Sequence, residues 1–509
     1  MVTVRNLVKL LYQRVVIVSI CLLLQLMMVF ASIRWFSEYA AWYNAAIGIA
    51  ALILTLVIVS KPGDMAYKLA WIIPILGAPI FGVTLYFLFG GDHQSKRVRN
   101  ALQVMNHTMQ TQLKQEREIL DRLEQKNPAI AAQSYYLASK ADCPIYTNTQ
   151  TEYFSVGEDC FTRMCADLKE AKHYIYLEYF IIERGEMWDT ILNILREKAA
   201  QGVDVRVVYD DFGCITKLPY NYDKQLEAMG IHSRRFNPFV PIMSPLLNNR
   251  DHRKLMIIDG TVGYTGGINL ADEYINVTKP YGHWKDCGLR LEGDAVWSMT
   301  IMFQSMWNMM HKTEEAPVAP SCLVQATDGY VQPFTDYPLD DEGVSETVFL
   351  SMIAHAKKSV YIMTPYLILD AAMVSILTVA AKSGVDVRII TPGTPDKRYV
   401  YLVTRANYGE LLKAGVRIYE YTPGFIHSKV VCVDMESAVV GTVNMDFRSL
   451  YLHYEDGVLL YNTESVQQVS DDFADTFPLC HEVTLAEYQD RSKIVQIAEM
   501  CLRVFAPLM

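Results

Sequence analysis

Three long apolar runs open the chain, and the pattern then shortens into alternating segments. Val15 to Ile33 and Tyr39 to Ser60 carry no charged residue, and Leu69 to Gly90 is a third apolar run interrupted by Pro74 and Pro79. Crossing a hydrocarbon core of about 30 Å takes about 20 helical residues, so each run predicts a spanning helix. In the third, each proline removes a backbone donor, which predicts a kink or a partly interfacial helix. From Ala101 to Asn127 the chain is polar, with Leu102, Met105, Met109, Leu113, Leu120 and Leu123 spaced mostly by three or four. That spacing predicts an amphipathic helix whose apolar stripe rests on the domain that follows. Beyond it, strand-like and helix-like segments alternate, as in an α/β domain.

The alternation is duplicated. Ala171-Lys-His-Tyr-Ile-Tyr-Leu-Glu178 matches Ala356-Lys-Lys-Ser-Val-Tyr-Ile-Met363. Gly202-Val-Asp-Val-Arg-Val-Val208 matches Gly384-Val-Asp-Val-Arg-Ile-Ile390, and Leu226-Glu-Ala-Met-Gly230 matches Leu411-Leu-Lys-Ala-Gly415. Strands of this kind recur in unrelated α/β proteins, but three matches in one order mean that a unit was copied. The expected organisation is a membrane-anchoring region of two to three hydrophobic helices over 1–100 and a connector helix over 101–133. Two α/β lobes facing each other pseudo-symmetrically follow, over 134–320 and 321–509.

Composition narrows the reading. The 509 residues support two or three domains, and 51% of them are hydrophobic. A formal charge of −10 argues against a general nucleic-acid binder, which needs clustered Lys and Arg. Attraction to an anionic substrate must then be local. The ten cysteines are scattered with no C-x-x-C pair or zinc-type spacing, as for free thiols in a reducing compartment.

The repeat continues into the strongest chemical signal. His252-Arg-Lys254 is followed by Asp259 and Gly266-Gly-Ile-Asn269, and His427-Ser-Lys429 by Asp434 and Gly441-Thr-Val-Asn444. Both copies obey H-x-K-x(4)-D-x(6)-G-[GT]-x-N. On a strand, side chains two apart share a face, so each His points with its Lys: one to attack or shuttle protons, the other to offset phosphate charge. Asp259 and Asp434 belong to the same motif, but parity puts them on the opposite face, where a structural role is expected. Gly267 lets a backbone approach a phosphate closely, and Asn269, Asn444 and the Thr442 hydroxyl can donate to its oxygens. A lone histidine in such a strand is usually a satisfied core residue; two His-Lys pairs at identical spacing reverse that preference. A further acid follows each copy: Asp286 in His283-Trp-Lys-Asp286, and Glu455 in His453-Tyr-Glu455. Either can accept from an imidazole Nδ1–H and orient the ring, with an exposed strand-start acid as the plainer alternative.

The doubled motif resembles the phospholipase D superfamily. Lys68-Leu-Ala-Trp71-Ile-Ile-Pro74, Phe89-Gly90, Thr364-Pro365-Tyr366, Gly441-Thr-Val-Asn444-Met-Asp446-Phe-Arg448-Ser449 and Phe505-Ala-Pro507-Leu are similar to bacterial cardiolipin synthases in particular. Departures are Arg253 at the variable motif site, Gly266-Gly267 where Gly-Ser is also familiar, and one more candidate span than the common two. The resemblance implies a phosphatidyltransferase acting on phosphatidylglycerol and membrane lipid, with no cofactor, no metal and no nucleic acid; homo-oligomerisation stays open. One histidine, by resemblance His252, forms a phosphatidyl intermediate, and the other serves as acid and then base. The implied location is the cell membrane, multi-pass, with cytoplasmic lobes, although the flanking Lys and Arg do not set the orientation. A hydrolytic phospholipase D, a phosphatidyltransferase with another acceptor alcohol and, less favoured, a nucleic-acid phosphodiesterase would share the motif.

Overall fold

The computed structural model describes residues 23–27, 40–61, 65–90, 96–238, 249–311, 327, 329–338 and 342–506. The chain divides into two compact units. In the first, residues to Gln94 form the helices Ala40–Ser60, Met65–Gly77 and Pro79–Phe89. Ala40–Ser60 has 21 residues and none is charged, but its side chains are described without a break only from 45 onward. Among the described residues, no helix is long and apolar enough to cross a membrane. The run expected at Val15 to Ile33 lies outside the described residues except for 23–27.

The third expected span is corrected. Leu69 to Gly90 falls in two helices, Met65–Gly77 of 13 residues and Pro79–Phe89 of 11, each far short of the bilayer. The break falls at Ala78, where Pro79 begins a new helix. The second helix folds back on the first: the Trp71 and Tyr86 rings meet edge-on at 5.6 Å, and a Cβ on Gly90 would lie 2.9 Å from the Trp71 ring. Buried Lys68 donates to the carbonyls of Val59 and Lys61, closing the open end of Ala40–Ser60.

The second unit holds Ser95–Pro238 and Arg250–Glu499. The stretch expected as one amphipathic helix forms three: Lys96–Gln112, Arg117–Lys126 and Pro128–Lys140. Asn127 separates the last two and caps the second of them, accepting from the backbone N–H of Ala129 and Ile130. Leu102, Met105, Met109 and Leu113 are buried in the main core beside Met302, Phe303 and Met306, so the apolar stripe does rest on the following domain.

Strands of the first half are β1 (Thr149–Phe154), β2 (Tyr174–Tyr179), β3 (Asp204–Asp210), β4 (His232–Phe236), β5 (Arg250–Asp251), β6 (Lys254–Ile258), β7 (Val262–Gly266), β8 (His283–Lys285) and β9 (Gly288–Gly293). Those of the second are β10 (Tyr330–Asp336), β11 (Ser359–Met363), β12 (Asp386–Pro392), β13 (Arg417–Tyr421), β14 (Gly424–Ile426), β15 (Val430–Val433), β16 (Ser437–Gly441), β17 (His453–Tyr461) and β18 (Cys480–Val483). The first sheet runs β1-β9-β7-β6-β2-β3-β4 and the second β10-β17-β16-β15-β11-β12-β13, with β18 added at its edge. Matching β8 and β9 to β17, the two orders are the same, as duplication requires. Central strands such as Val430-Val-Cys-Val433 are apolar throughout because helices or the other sheet cover both faces. One apolar cluster continues from Leu255, Ile257, Leu289 and Leu291 of the first sheet, through the helix Val296–His311, into Val430, Val439 and Leu459 of the second. Repeat glycines Gly202 and Gly384 share a left-handed φ of 91° and 93°, a conformation that costs glycine little after a helix.

Candidate active site

Three short strands, β5, β8 and β14, do not join the sheet of their own half. β5 pairs in parallel with the start of β17, setting Arg250 opposite His453 and Asp251 opposite Tyr454. β14 pairs in parallel with β8, setting Gly424 opposite His283 and Ile426 opposite Lys285. Each motif is therefore led into place by the other half. His252 N–H donates to the Tyr454 carbonyl at 2.9 Å, and His427 N–H to that of Lys285 at 2.7 Å. The histidines themselves fall in the break between two strands, not within one as expected. The Lys side chains still return to them: Lys254 Nζ donates to the His252 carbonyl at 2.6 Å and Lys429 Nζ to the His427 carbonyl.

The same crossing delivers the orienting acids. His252 Nδ1 lies 2.9 Å from both oxygens of Glu455, and His427 Nδ1 lies 2.6 Å from Asp286 Oδ2. Each imidazole is thus held by a carboxylate of the opposite half. Sequence reasoning found both acids, but pairing strands across the halves leaves no mark in a single half's pattern.

A carboxylate only accepts, so Nδ1 of His252 carries the proton and its Nε2 keeps the lone pair; His427 Nδ1 also faces Lys429 Nζ at 2.9 Å, and the shorter contact with Asp286 at 2.6 Å favours the same tautomer. Burial pulls His252 down to about 3 and His427 to about 4, against the upward pull of their carboxylates. Burial alone would raise Glu455 and Asp286, but the imidazoles they bind hold both below their ordinary values. The resting state has neutral rings on carboxylate anions. Burial also lowers Lys254 to about 8 and Lys429 to about 7, so both ammonium groups sit near their titration point and gain from an incoming anion.

The remaining expected residues separate. Asp259 accepts from the backbone N–H of Lys172, His173 and Tyr174 at 2.7–2.8 Å. Asp434 does the same for Lys357, Lys358 and Ser359 at 2.6–3.1 Å. Grouped with the catalytic set by motif, both stand instead at the far end of the strand that begins with or just after the Lys, each with positive φ in the turn to β7 or β16. The motif spacing is the length of that strand plus its turn. There the carboxylates tie the starts of β2 and β11, the structural role parity suggested.

Expected phosphate donors are spent elsewhere. Asn269 accepts from Ile181 N–H at 3.0 Å and donates to Tyr274 Oη at 2.8 Å. Thr442 Oγ1 lies 2.5 Å from Glu455 Oε2 and accepts from Asp456 N–H at 3.0 Å, so it braces an acid. Gly267 makes room for an acid: a Cβ there would lie 1.9 Å from Asp286 Oδ1. Asn444 is different, since its Oδ1 is buried without a partner.

Two features escaped the sequence. Arg253, an unexplained departure there, is fully buried and pairs with Glu178 at 2.5 Å and Asp251 at 3.2 Å, fixing the backbone beside His252. His453, noted only as a neighbour of Glu455, puts its ring 5.5 Å from that of His252.

A family described as "Cardiolipin synthase, PLD-like domain" matches residues 164–279 and 349–476, and one described as phospholipase D-nuclease N-terminal matches 49–91. A cardiolipin synthase of Halalkalibacterium halodurans is 33% identical over 93% of this chain and 95% of its own. A cardiolipin synthase 2 of Bacillus anthracis is 36% identical over 91% and 90%. The crystal structure of a phosphatidylserine synthase from Haemophilus influenzae superposes with a TM-score of 0.52 at 15% identity, over 70% of this chain and 93% of that one, a likeness of fold.

Proposed function

The chain belongs to the cardiolipin synthase family and is a phosphatidyltransferase, and from that premise we propose how its duplicated site makes cardiolipin. His252 Nε2 attacks the phosphorus of one phosphatidylglycerol. A P–N bond forms, the P–O bond to the terminal glycerol breaks, and protonated His427 gives its proton to the departing oxygen. His427 then takes the proton from a free hydroxyl of a second phosphatidylglycerol, whose oxygen attacks phosphorus and releases His252. Two phosphatidylglycerols become cardiolipin and glycerol. One phosphodiester replaces another, so no nucleotide has to drive the exchange.

The crossed carboxylates carry this reading. Glu455 fixes the His252 tautomer that presents a lone pair and balances the cation formed when Nε2 becomes bonded to phosphorus. Asp286 does the same for the protonated His427. Lys254 and Lys429 offset the phosphorane's charge. A resting His427 is neutral, and the bound phosphodiester supplies the negative charge that lets it take up a proton. The Asn444 amide is assigned as a further phosphate contact, through its N–H2, the part of the group able to donate to a phosphate oxygen.

The same reading makes the protein a membrane enzyme. Trp42, Ile49, Leu52, Ile53 and Leu56 are large, apolar and exposed on one uncharged helix, and lipid is the medium that suits them. Multi-pass insertion, with the lobes on the cytoplasmic side, completes the proposal.

The test is purified protein in mixed micelles with phosphatidylglycerol labelled in its terminal glycerol and, separately, in its acyl chains. Cardiolipin and free glycerol in equal amounts support transfer. Phosphatidic acid as the main product makes the enzyme a hydrolase. A new diester formed only with an added alcohol makes it a transferase for another acceptor.

A further inference from the structure

The two halves offer the same place beside each catalytic ring and fill it differently. Two residues before Asp286 stands Trp284, whose ring lies 5.3 Å from that of His427. Two residues before Glu455 stands His453, 5.5 Å from His252. The tilts are also alike, 44° and 41°. An inert ring occupies one position and a metal-ligating ring the other.

No hydrogen bond through Nδ1 accounts for His453. Its side chain is 10% exposed and its Nδ1 lies 3.6 Å from Glu455 Oε1, buried and without a hydrogen-bond partner. His252 Nδ1 lies 2.9 Å from the same oxygen. One ligand atom from each of His252, His453 and Glu455 falls within 4.8 Å of the other two. Ligands at about 2.0–2.1 Å from a tetrahedral ion stand roughly 3.3 Å apart, and the two nitrogen–oxygen separations bracket that figure. Among the described residues this is the only such cluster of three.

We propose that His252, His453 and Glu455 form a binding site for a divalent transition-metal ion, and that filling it switches the enzyme off. Two imidazoles and a carboxylate suit zinc, copper or nickel, not magnesium or calcium. The inhibition follows from the tautomer. Without metal, His252 Nδ1–H points at Glu455 and Nε2 holds the lone pair. A metal takes the Nδ1 lone pair, so the one ring proton moves to Nε2, and the nucleophile is gone. Nothing is oxidised, and removing the metal restores the first tautomer. At His427 the equivalent Trp284 forbids such a site. Binding does not depend on the reaction; the inhibition rests on His252 acting as the nucleophile.

The experiment uses the full chain in detergent, with a histidine-free affinity tag and metal stripped by chelator. Zinc binding is measured by equilibrium dialysis, and inhibition by zinc relative to each variant's own zinc-free rate. Wild type should bind about one zinc per chain and lose activity reversibly, recovering with chelator. His453→Asn and His453→Gln should each weaken binding and inhibition by at least about 10–100-fold, the cost of losing even an indirect metal partner. His481→Asn, at an exposed imidazole–Glu487 pair, should bind as wild type does. His427→Asn should also keep the zinc. Absence of a bound zinc in wild type overturns the site. So does equal binding by wild type and both His453 variants. If zinc binds through His453 but the enzyme forms no cardiolipin, the site stands and the functional reading falls. Cardiolipin formation without zinc binding removes the site and leaves the function in place.

Discussion

Replacing Glu455 by Gln tests the crossed geometry, because it removes one charge and little volume. The carboxylate oxygens lie 2.9 Å from His252 Nδ1, which puts the anion roughly 4 Å from a charge spread over the ring. At an effective dielectric constant near 20, that pair is worth about 4 kcal/mol once the ring becomes a phosphoimidazolium. Each 1.36 kcal/mol is tenfold in rate, so kcat should fall about a thousandfold. A Gln amide that donates to Nδ1 would also select the wrong tautomer and deepen the loss. KM should move little, because neutral Gln keeps the shape that substrate meets. The identity of the damaged step is the sharper readout. With a p-nitrophenyl phosphatidyl ester the leaving group needs little protonation, so the first-turnover burst of nitrophenol reports attack alone. Asp286→Asn, which disables His427, should keep the burst. Glu455→Gln, which disables His252, should lose it. A burst retained by Glu455→Gln and lost by Asp286→Asn, with the phosphatidyl adduct still mapped to His252, would refute the crossed assignment, since each acid would then be serving its own half; the same pattern with adduct on His427 would reverse the two histidines' roles instead.

Other expectations follow the same logic. His252→Asn and His427→Asn should each abolish most cardiolipin formation, by about a hundred- to ten-thousand-fold for the acid–base residue; labelled adduct on the His252 variant, mapped to His427, would reverse their roles. Asp259→Ala and Asp434→Ala each strip three backbone N–H groups of a charged acceptor, so each should cost about 2–4 kcal/mol, read as a lower denaturation midpoint, with kcat of the folded fraction little changed. In kcat/KM, which reports the free enzyme, the imidazoles near 3 and 4 are already neutral at about pH 5, so no acid limb from them should appear above that. Because the first step needs protonated His427, near 4 in the free enzyme, kcat/KM should fall with rising pH above about 4 and more steeply through about 7 to 8, where Lys429 and Lys254 lose their protons, and Lys429→Arg should move the second limb upward. A chain starting at Ser95 should fold cooperatively, whereas one starting at Ser134 loses the buried Met105, Met109 and Leu123 and should melt earlier or aggregate.

Where local pattern decides structure, the sequence was legible. Val-rich strands, repeated GVDVR segments and equal motif spacing were enough for two α/β halves and both His-Lys pairs. Parity alone moved Asp259 and Asp434 off the catalytic face. Legibility failed where distant chain segments choose partners. Thr442 and Gly267 looked like phosphate ligands because a Gly-rich turn after a strand often is one; here an acid from later in the same half filled the space first. Nothing in His252 itself says that its acid lies 203 positions away. In the third apolar run the sequence showed that the prolines disturb the helix, but not that Pro79 starts a second helix that folds back on the first, because that packing depends on residues such as Trp71 and Tyr86 meeting across the turn.

The exchange of β5 and β14 between halves has a consequence for how such a chain can evolve. A single half, associating with its twin about a two-fold axis, would build the same crossed site from two identical polypeptides. Every mutation in that ancestor would strike both histidines at once, so neither could specialise. Joining the copies in one gene keeps the interlock and frees each side to drift by itself. Trp284 and His453 record that freedom: one change beside one histidine, which a homodimer could never have encoded.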